Sequence, residues 1–179
     1  MRLTVRTDYA LRVLIYLSLQ REGEGIGTID DIADAYRISR SHLKKVVNEL
    51  AQNGVLETAR GRAGGVRLAK DPSRISIGEI VRLVEKDFAV VECHEAAVES
   101  DCAIAQVCNL RRVLRRAVDA FMYELDKATL ADAAAAPSVV ASILGIGLPA
   151  GGAGKARPTV RKPGTAVAVD PPRSRSRQP

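Results

Sequence analysis

Cys93, Cys102 and Cys108 are the only cysteines in a chain of 179 residues. They fall in VECHEAAVESDCAIAQVCNLRR, Val91 to Arg112, with the spacing C-x8-C-x5-C, so sixteen positions hold all three and the other 163 hold none. A cysteine taken singly is most often a small, inert core residue, but three gathered in this way do not fit that scattering. A disulfide framework favours an even count in a secreted chain, and here the count is odd. A zinc or iron–sulfur centre instead requires thiolates that converge on one point. Three of them leave a fourth position to be filled from elsewhere or left open to a small molecule. Enzyme chemistry fits less well. His94 stands beside Cys93, but neighbours in an extended segment point opposite ways. The chain also lacks G-x-S-x-G, H-E-x-x-H and the phosphate-binding G-x-x-x-x-G-K-[ST].

Length allows one modest domain, or one domain with a tail. No apolar run approaches the roughly 20 residues that span a bilayer. The start, MRLTVRTDYA, is charged and has no long apolar run, so no signal peptide is expected there. A cytoplasmic protein with reduced thiols follows as the expectation. The net charge of +6 is unevenly placed. Residues 1–149 hold 20 Lys and Arg against 20 Asp and Glu. From Ala150 onward, Lys155, Arg157, Arg161, Lys162, Arg173, Arg175 and Arg177 stand against Asp170 alone. The basic isoelectric point therefore says little about the folded part, and local patches count instead.

Leu3 to Gln20 reads as a helix, with Ala10, Leu11, Leu14, Ile15 and Leu17 near a 3.6-residue period. Thr7 and Asp8 could cap a turn inside it. After a loop at Gly23 to Gly27, the T-x-x-D pattern Thr28 to Asp31 opens a second helix. A short turn at Arg37 to Ser39 leads to a third, Arg40 to Asn53, with Ser39 as N-cap and Gly54 where a left-handed cap belongs. Two short helices joined by such a turn form a helix-turn-helix. The period then changes. Val55 to Ala59 and Val66 to Ala69 read as strands around the basic, glycine-rich tip Arg60 to Gly65, a hairpin signal. The expected fold is mainly α with a small β-hairpin wing: a winged helix-turn-helix followed by a long dimerisation helix. Asp71-Pro72-Ser73 breaks the chain, Ile75 and Ile77 add a strand or extended lead-in, and Ile77 to Glu85 reads as a short helix. Asp87 to Asp101 carries five acidic residues and no Lys or Arg. Leu110, Val113, Leu114, Ala117, Phe121 and Leu125 then mark one stripe of a long helix, with Arg111, Arg112, Arg115 and Arg116 opposite, a pattern suited to a two-fold dimer. Thr129 to Ala136 continues as a weak helix ended by Pro137, and the apolar Ser138 to Leu148 reads as one further turn or a loosely packed segment.

The expected organisation is a DNA-binding domain over 1–86, a cluster-binding loop over 87–109, a dimerisation helix with its extension over 110–136, and a low-complexity tail over 137–179. Arg37 to Lys70 holds eight Lys and Arg against Glu49 and Glu57. A recognition helix reads base edges mainly from its N-terminal half, which here offers Arg40, Ser41, His42, Lys44 and Lys45. Arg addresses guanine in two-pronged fashion, while Lys and Ser more often hold phosphates. Thr28, Ser39 and Asn48 complete the candidate set on the helices. Arg60, Arg62 and Gly64 complete it on the wing.

In that order, MRLTVRTDYALRVLIYL, ISRSHLKKVVNELAQNGVLETARGRAGGVRLAK, IGEIVRLVEKDF and the triple-cysteine segment resemble the winged-helix iron–sulfur repressors. Within them the chain looks most like the nitric-oxide-sensing NsrR type. The resemblance covers roughly Met1 to Leu130. It implies a homodimer that binds a double-stranded DNA operator and carries one iron–sulfur cluster per subunit, [4Fe-4S] or [2Fe-2S], on Cys93, Cys102 and Cys108. It also implies a fourth ligand from the partner subunit, at the position of Asp8 in TDYALR. Nitric oxide would attack the cluster and release the repressor from genes of nitric-oxide detoxification, such as flavohaemoglobin. The gap between Cys93 and Cys102 is longer than the five residues common in the NsrR and IscR types. ECHEAAVESDC and DFAVVEC resemble the iron-responsive RirA type, which is the alternative, beside a clusterless regulator that senses redox through its thiols. With the longer gap, His94, Glu92 or Glu95 could also supply the fourth ligand.

Overall fold

Thr4 ends an extended lead-in, and its hydroxyl accepts the Thr7 N–H at 3.4 Å, so the first helix, α1, runs unbroken over Val5–Ser18. The structure is a computed structural model that describes residues 2–20, 26–59, 64–94 and 102–146. The expectations for 150–179, and for the hairpin tip at 60–63, lie outside the described residues. No break occurs at Thr7 or Asp8, because the Thr7 side chain is fully buried and turned to another element. Helix α2, Ile29–Tyr36, begins with the capping box foreseen at Thr28 and Asp31. The Asp31 N–H donates to Thr28 Oγ1 at 3.1 Å, and the Thr28 N–H donates to Asp31 Oδ2 at 3.3 Å. Two orphan N–H groups are satisfied reciprocally.

The turn between α2 and α3, Arg40–Gln52, is made by Arg37 in the left-handed region at φ 54°. That conformation is costly for a residue with a Cβ. Ser39 occupies the N-cap position of α3 but makes no cap bond; its hydroxyl meets that of Ser41 at 2.8 Å. Gly54, at φ 69°, turns the chain out of α3. Strands β1, Leu56–Ala59, and β2, Gly65–Leu68, pair antiparallel in the register Leu56 to Leu68 and Glu57 to Arg67. Leu56 and Val66 face inward, and Glu57 and Arg67 pair across the outer face with an Nη2–Oε2 separation of 2.7 Å. Gly27 exchanges two backbone hydrogen bonds with Val66, each 2.9 Å, which ties the segment before α2 to the wing.

The core gathers one face from each helix: Ala10, Val13, Leu14 and Leu17 of α1, Ile32 of α2, Leu43, Val47 and Leu50 of α3, and Ile80 and Val84 of α4, Ile77–Val84. Ile75 and Ile77 form no strand. A 3₁₀ turn at Pro72–Arg74 precedes them, and a single antiparallel bridge joins Ser76 to Thr129. The backbone groups beside it are met by Leu130 N–H to Ile75 O, 2.8 Å, and Ile77 N–H to Ala128 O, 2.9 Å.

Helix α5, Asn109–Lys127, packs Met122, with Val118 and Leu125 alongside, onto Ile77 and Val81 of α4. The approach is close: a Cβ on Gly78 would lie 2.9 Å from the Asp126 backbone nitrogen. Beside it Arg82 forks onto the Asp126 carboxylate at 2.5 and 2.6 Å. Elsewhere α5 is largely bare. Met122 is its single buried residue, and Leu110, Val113 and Phe121 are 62%, 48% and 37% exposed.

Helix α6, Leu130–Ala133, starts with a second capping box, Thr129 with Asp132. Pro137 does not end it. Ala134 and Ala136 lie outside the helix, and Pro137 opens α7, Pro137–Ile143, at the first turn, where its missing N–H costs nothing. The tail expected from 137 therefore begins with an ordered helix. Ala141 is buried, and Leu144 and Ile146 pack against the core. No helix among the described residues is long and apolar enough to cross a membrane.

Candidate DNA-reading face and cysteine site

Because Leu43, Val46, Val47 and Leu50 of α3 face the core, Arg40, Ser41, His42, Lys44, Lys45 and Asn48 are left on its exposed side. Six of the candidate DNA-reading residues thus share one helix face, with Ser39 exposed at its start. Thr28 is half-buried and committed to its capping box, so its hydroxyl is already donated to Asp31. Gly64 is half-buried just before β2, and Arg60 and Arg62 lie outside the described residues.

The charges on this face are not equal. Arg40 is held back on α2 by Asp30 and by Asp34, the latter at 3.1 Å. The hydrogen bond Arg40 donates to Asp30, then the charge of Asp34, raises its pKa above the ordinary arginine value. Arg67 is likewise taken by Glu57. Lys44 and Lys45 form no ion pair among the described residues and carry the unneutralised charge of α3. Sequence reading missed Asp30 and Asp34 as partners of Arg40. Both precede the turn, and only the angle it imposes brings them to α3.

The cysteines occupy three short segments. Cys93 is half-buried in a 3₁₀ turn, Glu92–His94; Cys102 is exposed; Cys108 is half-buried at the N-cap position of α5. None is in a disulfide. The turn holding Cys93 is tied to α5 by a 3.0 Å hydrogen bond between His94 Nε2 and the Arg111 carbonyl, in which the carbonyl accepts. His94 and Cys108 border a cavity of about 1000 Å³ together with Arg111, Arg112, Arg115 and Arg116. The four arginines expected opposite the apolar stripe therefore flank the cysteine site, where an anionic assembly would be favoured by their charge and by the N-terminal end of α5. Among the described residues no three His, Cys, Asp or Glu side chains are gathered closely enough to hold a metal ion. Glu95 lies outside the described residues, and Glu92 is exposed.

Asp8 is exposed in the first turn of α1 and is bonded to Arg12, whose Nε donates to Oδ1 at 3.0 Å and whose Nη2 lies 2.9 Å from Oδ2. The Arg12 guanidinium in turn lies 5.7 Å from the centre of the Tyr36 ring, at the end of α2. Burial, ahead of the opposing charge of Arg12, raises the Tyr36 pKa. Behind Asp8, α1 is fixed from α4. Glu85 Oε1 accepts the Thr7 hydroxyl at 2.7 Å and the Thr4 N–H at 2.5 Å. Glu85 was not among the residues singled out from sequence, because its partners lie about eighty positions away.

A model of the Rrf2 family, described as an iron-dependent transcriptional regulator, matches residues 3–136. The chain is 51% identical over 132 residues to the HTH-type transcriptional regulator NsrR of Bacillus subtilis (strain 168), covering 74% of this chain and 89% of that protein. Among solved structures it is similar to CymR (YrzC), the global cysteine regulator of B. subtilis, with a TM-score of 0.61 and 30% identity over 75% of this chain and 96% of that one. It also shares the fold of T. potens IscR, with a TM-score of 0.56 and 24% identity over 74% and 85% of the two chains.

Proposed function

Because this chain belongs to the Rrf2 family of transcriptional regulators, we propose that it is a homodimeric repressor whose operator binding depends on an iron–sulfur cluster and is released by nitric oxide. The observation that supports the reading is at the start of α5: Cys108 borders the cavity lined by four arginines, and the turn holding Cys93 is tied to the same helix through His94. Cys93, Cys102 and Cys108 would hold the cluster, and Asp8 of the partner subunit would complete it. The cluster, when bound, supplies the iron with which nitric oxide reacts.

The chain's own residues do the rest. Exposed Lys44 and Lys45, with Ser39 and Ser41, hold phosphates and set the register of α3 on the duplex. Base reading falls to the N-terminal half of α3, where His42 is exposed. Arg40 reaches DNA only by leaving Asp30 and Asp34, so it adds less than its charge suggests. Two copies of α3 must match half-sites about one DNA turn apart. A bond from Asp8 to the other subunit fixes that spacing. When it is lost, Asp8 keeps Arg12 as its partner. The bare apolar stripe of α5, with Leu110 and Val113, is the surface a second copy would cover.

Anaerobic purification tests this directly. The wild-type protein should be coloured, protect an operator from cleavage, and lose both colour and protection with a nitric-oxide donor. Cys102→Ala should lose the colour and the site-specific protection while keeping weak, salt-sensitive binding. A Cys102→Ala protein that protects the operator as wild type does would refute the dependence. The long C-x8-C spacing favours a second reading, an iron-responsive repressor. Release by an iron chelator, with no response to nitric oxide, would select it.

A further inference from the structure

Helix α1 presents two different faces. Asp8 and Arg12, bonded to each other, are on one. Val5, Arg6 and Tyr9 are on the other, which looks across a cavity of about 600 Å³ at α3. The inner turns of α1 and α3 meet through core side chains, Ala10 and Val13 against Leu43, Val47 and Leu50. At the end that carries Asp8 the helices are separated by this cavity, and two polar contacts cross it. Arg6 forms an ion pair with Glu49, and the Tyr9 and His42 rings lie 6.2 Å apart, centre to centre, at 32°.

The ion pair is unusual for its setting. Arg6 is 42% exposed, but the Glu49 side chain is only 19% exposed, and its enclosed Oε2 is the atom that meets the Arg6 guanidinium. Arg6 is the counter-charge to an oxygen that water does not reach. Desolvation offsets much of the attraction in such a pair, so it adds little to stability that an apolar pair would not add. What it does add is a direction, because Glu49 stays balanced only while α1 holds Arg6 over it. His42 and Lys45, which line the same cavity, are on the α3 face offered to DNA. A shift of α1 at this end therefore reaches α3 at two points, Glu49 in its last turns and His42 in its base-reading first turn.

We propose that Arg6 and Glu49 are positioning residues that make the setting of α3 follow the state of Asp8, two residues from Arg6 on the same helix. The inference rests on the reading that Asp8 ligates the cluster of the partner subunit. A pull on Asp8 is a pull on the first turn of α1, and the cavity leaves that turn attached to α3 through the ion pair and the ring contact instead of continuous packing. Coupling between two sites is a ratio of affinities, commonly 5- to 150-fold. Here the ratio is the operator affinity of the cluster-bearing dimer over that of the same dimer after chelation.

The experiment measures that ratio by fluorescence anisotropy for wild type, Glu49→Gln, Arg6→Gln and the charge-exchanged double variant Arg6→Glu/Glu49→Arg, with thermal melting of each in both states. The single variants should lower the ratio about tenfold while the cluster absorbance stays at the wild-type level, and the double variant should recover most of it. By reciprocity, operator DNA should raise the chelator concentration needed to strip half the cluster in wild type and much less in Glu49→Gln. Single variants that lower both affinities by the same factor, or that keep the wild-type ratio, overturn the positioning role. A wild-type protein whose operator affinity is the same with and without the cluster overturns the Asp8 reading itself. Arg6→Gln changes an exposed residue, so it keeps the test decisive if Glu49→Gln does not fold.

Discussion

Glu85→Ala tests whether α1 is set from α4. Glu85 is 9% exposed, and one of its oxygens takes two hydrogen bonds at the N-terminus of α1, from Thr7 Oγ1 and Thr4 N. A hydrogen bond to a charged group contributes about 1.5–3 kcal/mol, and a carboxylate at a helix N-terminus adds about 0.3–1 kcal/mol. Truncation removes both bonds and leaves the Thr7 hydroxyl, fully buried, without its acceptor. The two bonds share one oxygen and are not additive, so the expected loss is about 3–4 kcal/mol, against a total stability of about 5–15 kcal/mol for a domain of ordinary size. At about 3 °C per kcal/mol for this chain length, the melting temperature should fall by roughly 10 °C. Thr7→Val keeps the Thr4 bond to Glu85 and should cost about 1–2 kcal/mol. Urea unfolding followed by circular dichroism gives both values. If Glu85→Ala came within about 0.5 kcal/mol of wild type, the view that this carboxylate holds α1 in place would be wrong.

Three further outcomes follow from the same structure. Arg37 is in the left-handed region between α2 and α3, so Arg37→Gly should stabilise the domain by about 0.5–1 kcal/mol in urea unfolding; a loss of stability would mean that the side chain does more than tolerate the turn. Leu130 is fully buried under α6, so Leu130→Ala should cost about 2–5 kcal/mol, and a neutral result would show that α6 does not belong to the core. Asp126 is held below its ordinary pKa of 3.8, chiefly by the Arg82 hydrogen bond. A depressed carboxylate contributes stability above its unfolded value, and that contribution disappears as pH falls through the folded one. Stability should therefore decline on acidification below about pH 4, and Asp126→Asn should flatten the decline; an unchanged slope would place the acid sensitivity elsewhere.

The parts of the fold that were legible in the sequence are those decided by near neighbours. The Thr28–Asp31 box, the left-handed Gly54, the alternation around the hairpin and the helical period of α5 each depend on residues within a turn or a strand of one another. The misreadings share a different origin. Pro137 was taken as a terminator, yet at the first position of a helix it is as well suited to begin one. Ile75 and Ile77 read as a strand or an extended lead-in, and the second holds: the segment is extended, but its backbone partners, Leu130 and Ala128, are some fifty positions away and give a single bridge. The same holds for the site. Periodicity identified the exposed face of α3, and spacing singles out the three thiols as candidates. Neither could identify Asp30 and Asp34 as restraints on Arg40, or Glu49 beneath Arg6, because those pairs exist only once helices have packed.

The sparse burial of α5 has a consequence for how the protein comes together. Its second half is anchored by Met122, Val118 and Leu125. Its first half, beginning at Asn109, has no fully buried side chain, and among the described residues its hydrogen bonds are its own, including Arg112 to Asn109, and the tie from His94 to Arg111. A helix of about ten residues without packing is marginal in water. In a lone subunit, amide protons there should exchange far sooner than those of α3, and Cys108 would be at the end of a segment that opens on its own. A second subunit laid on Leu110 and Val113 would close that segment and hold the thiol still. Dilution and loss of the cluster would then be two routes to the same unravelled end. Cluster loading should rise with protein concentration even when iron and sulfide are in excess.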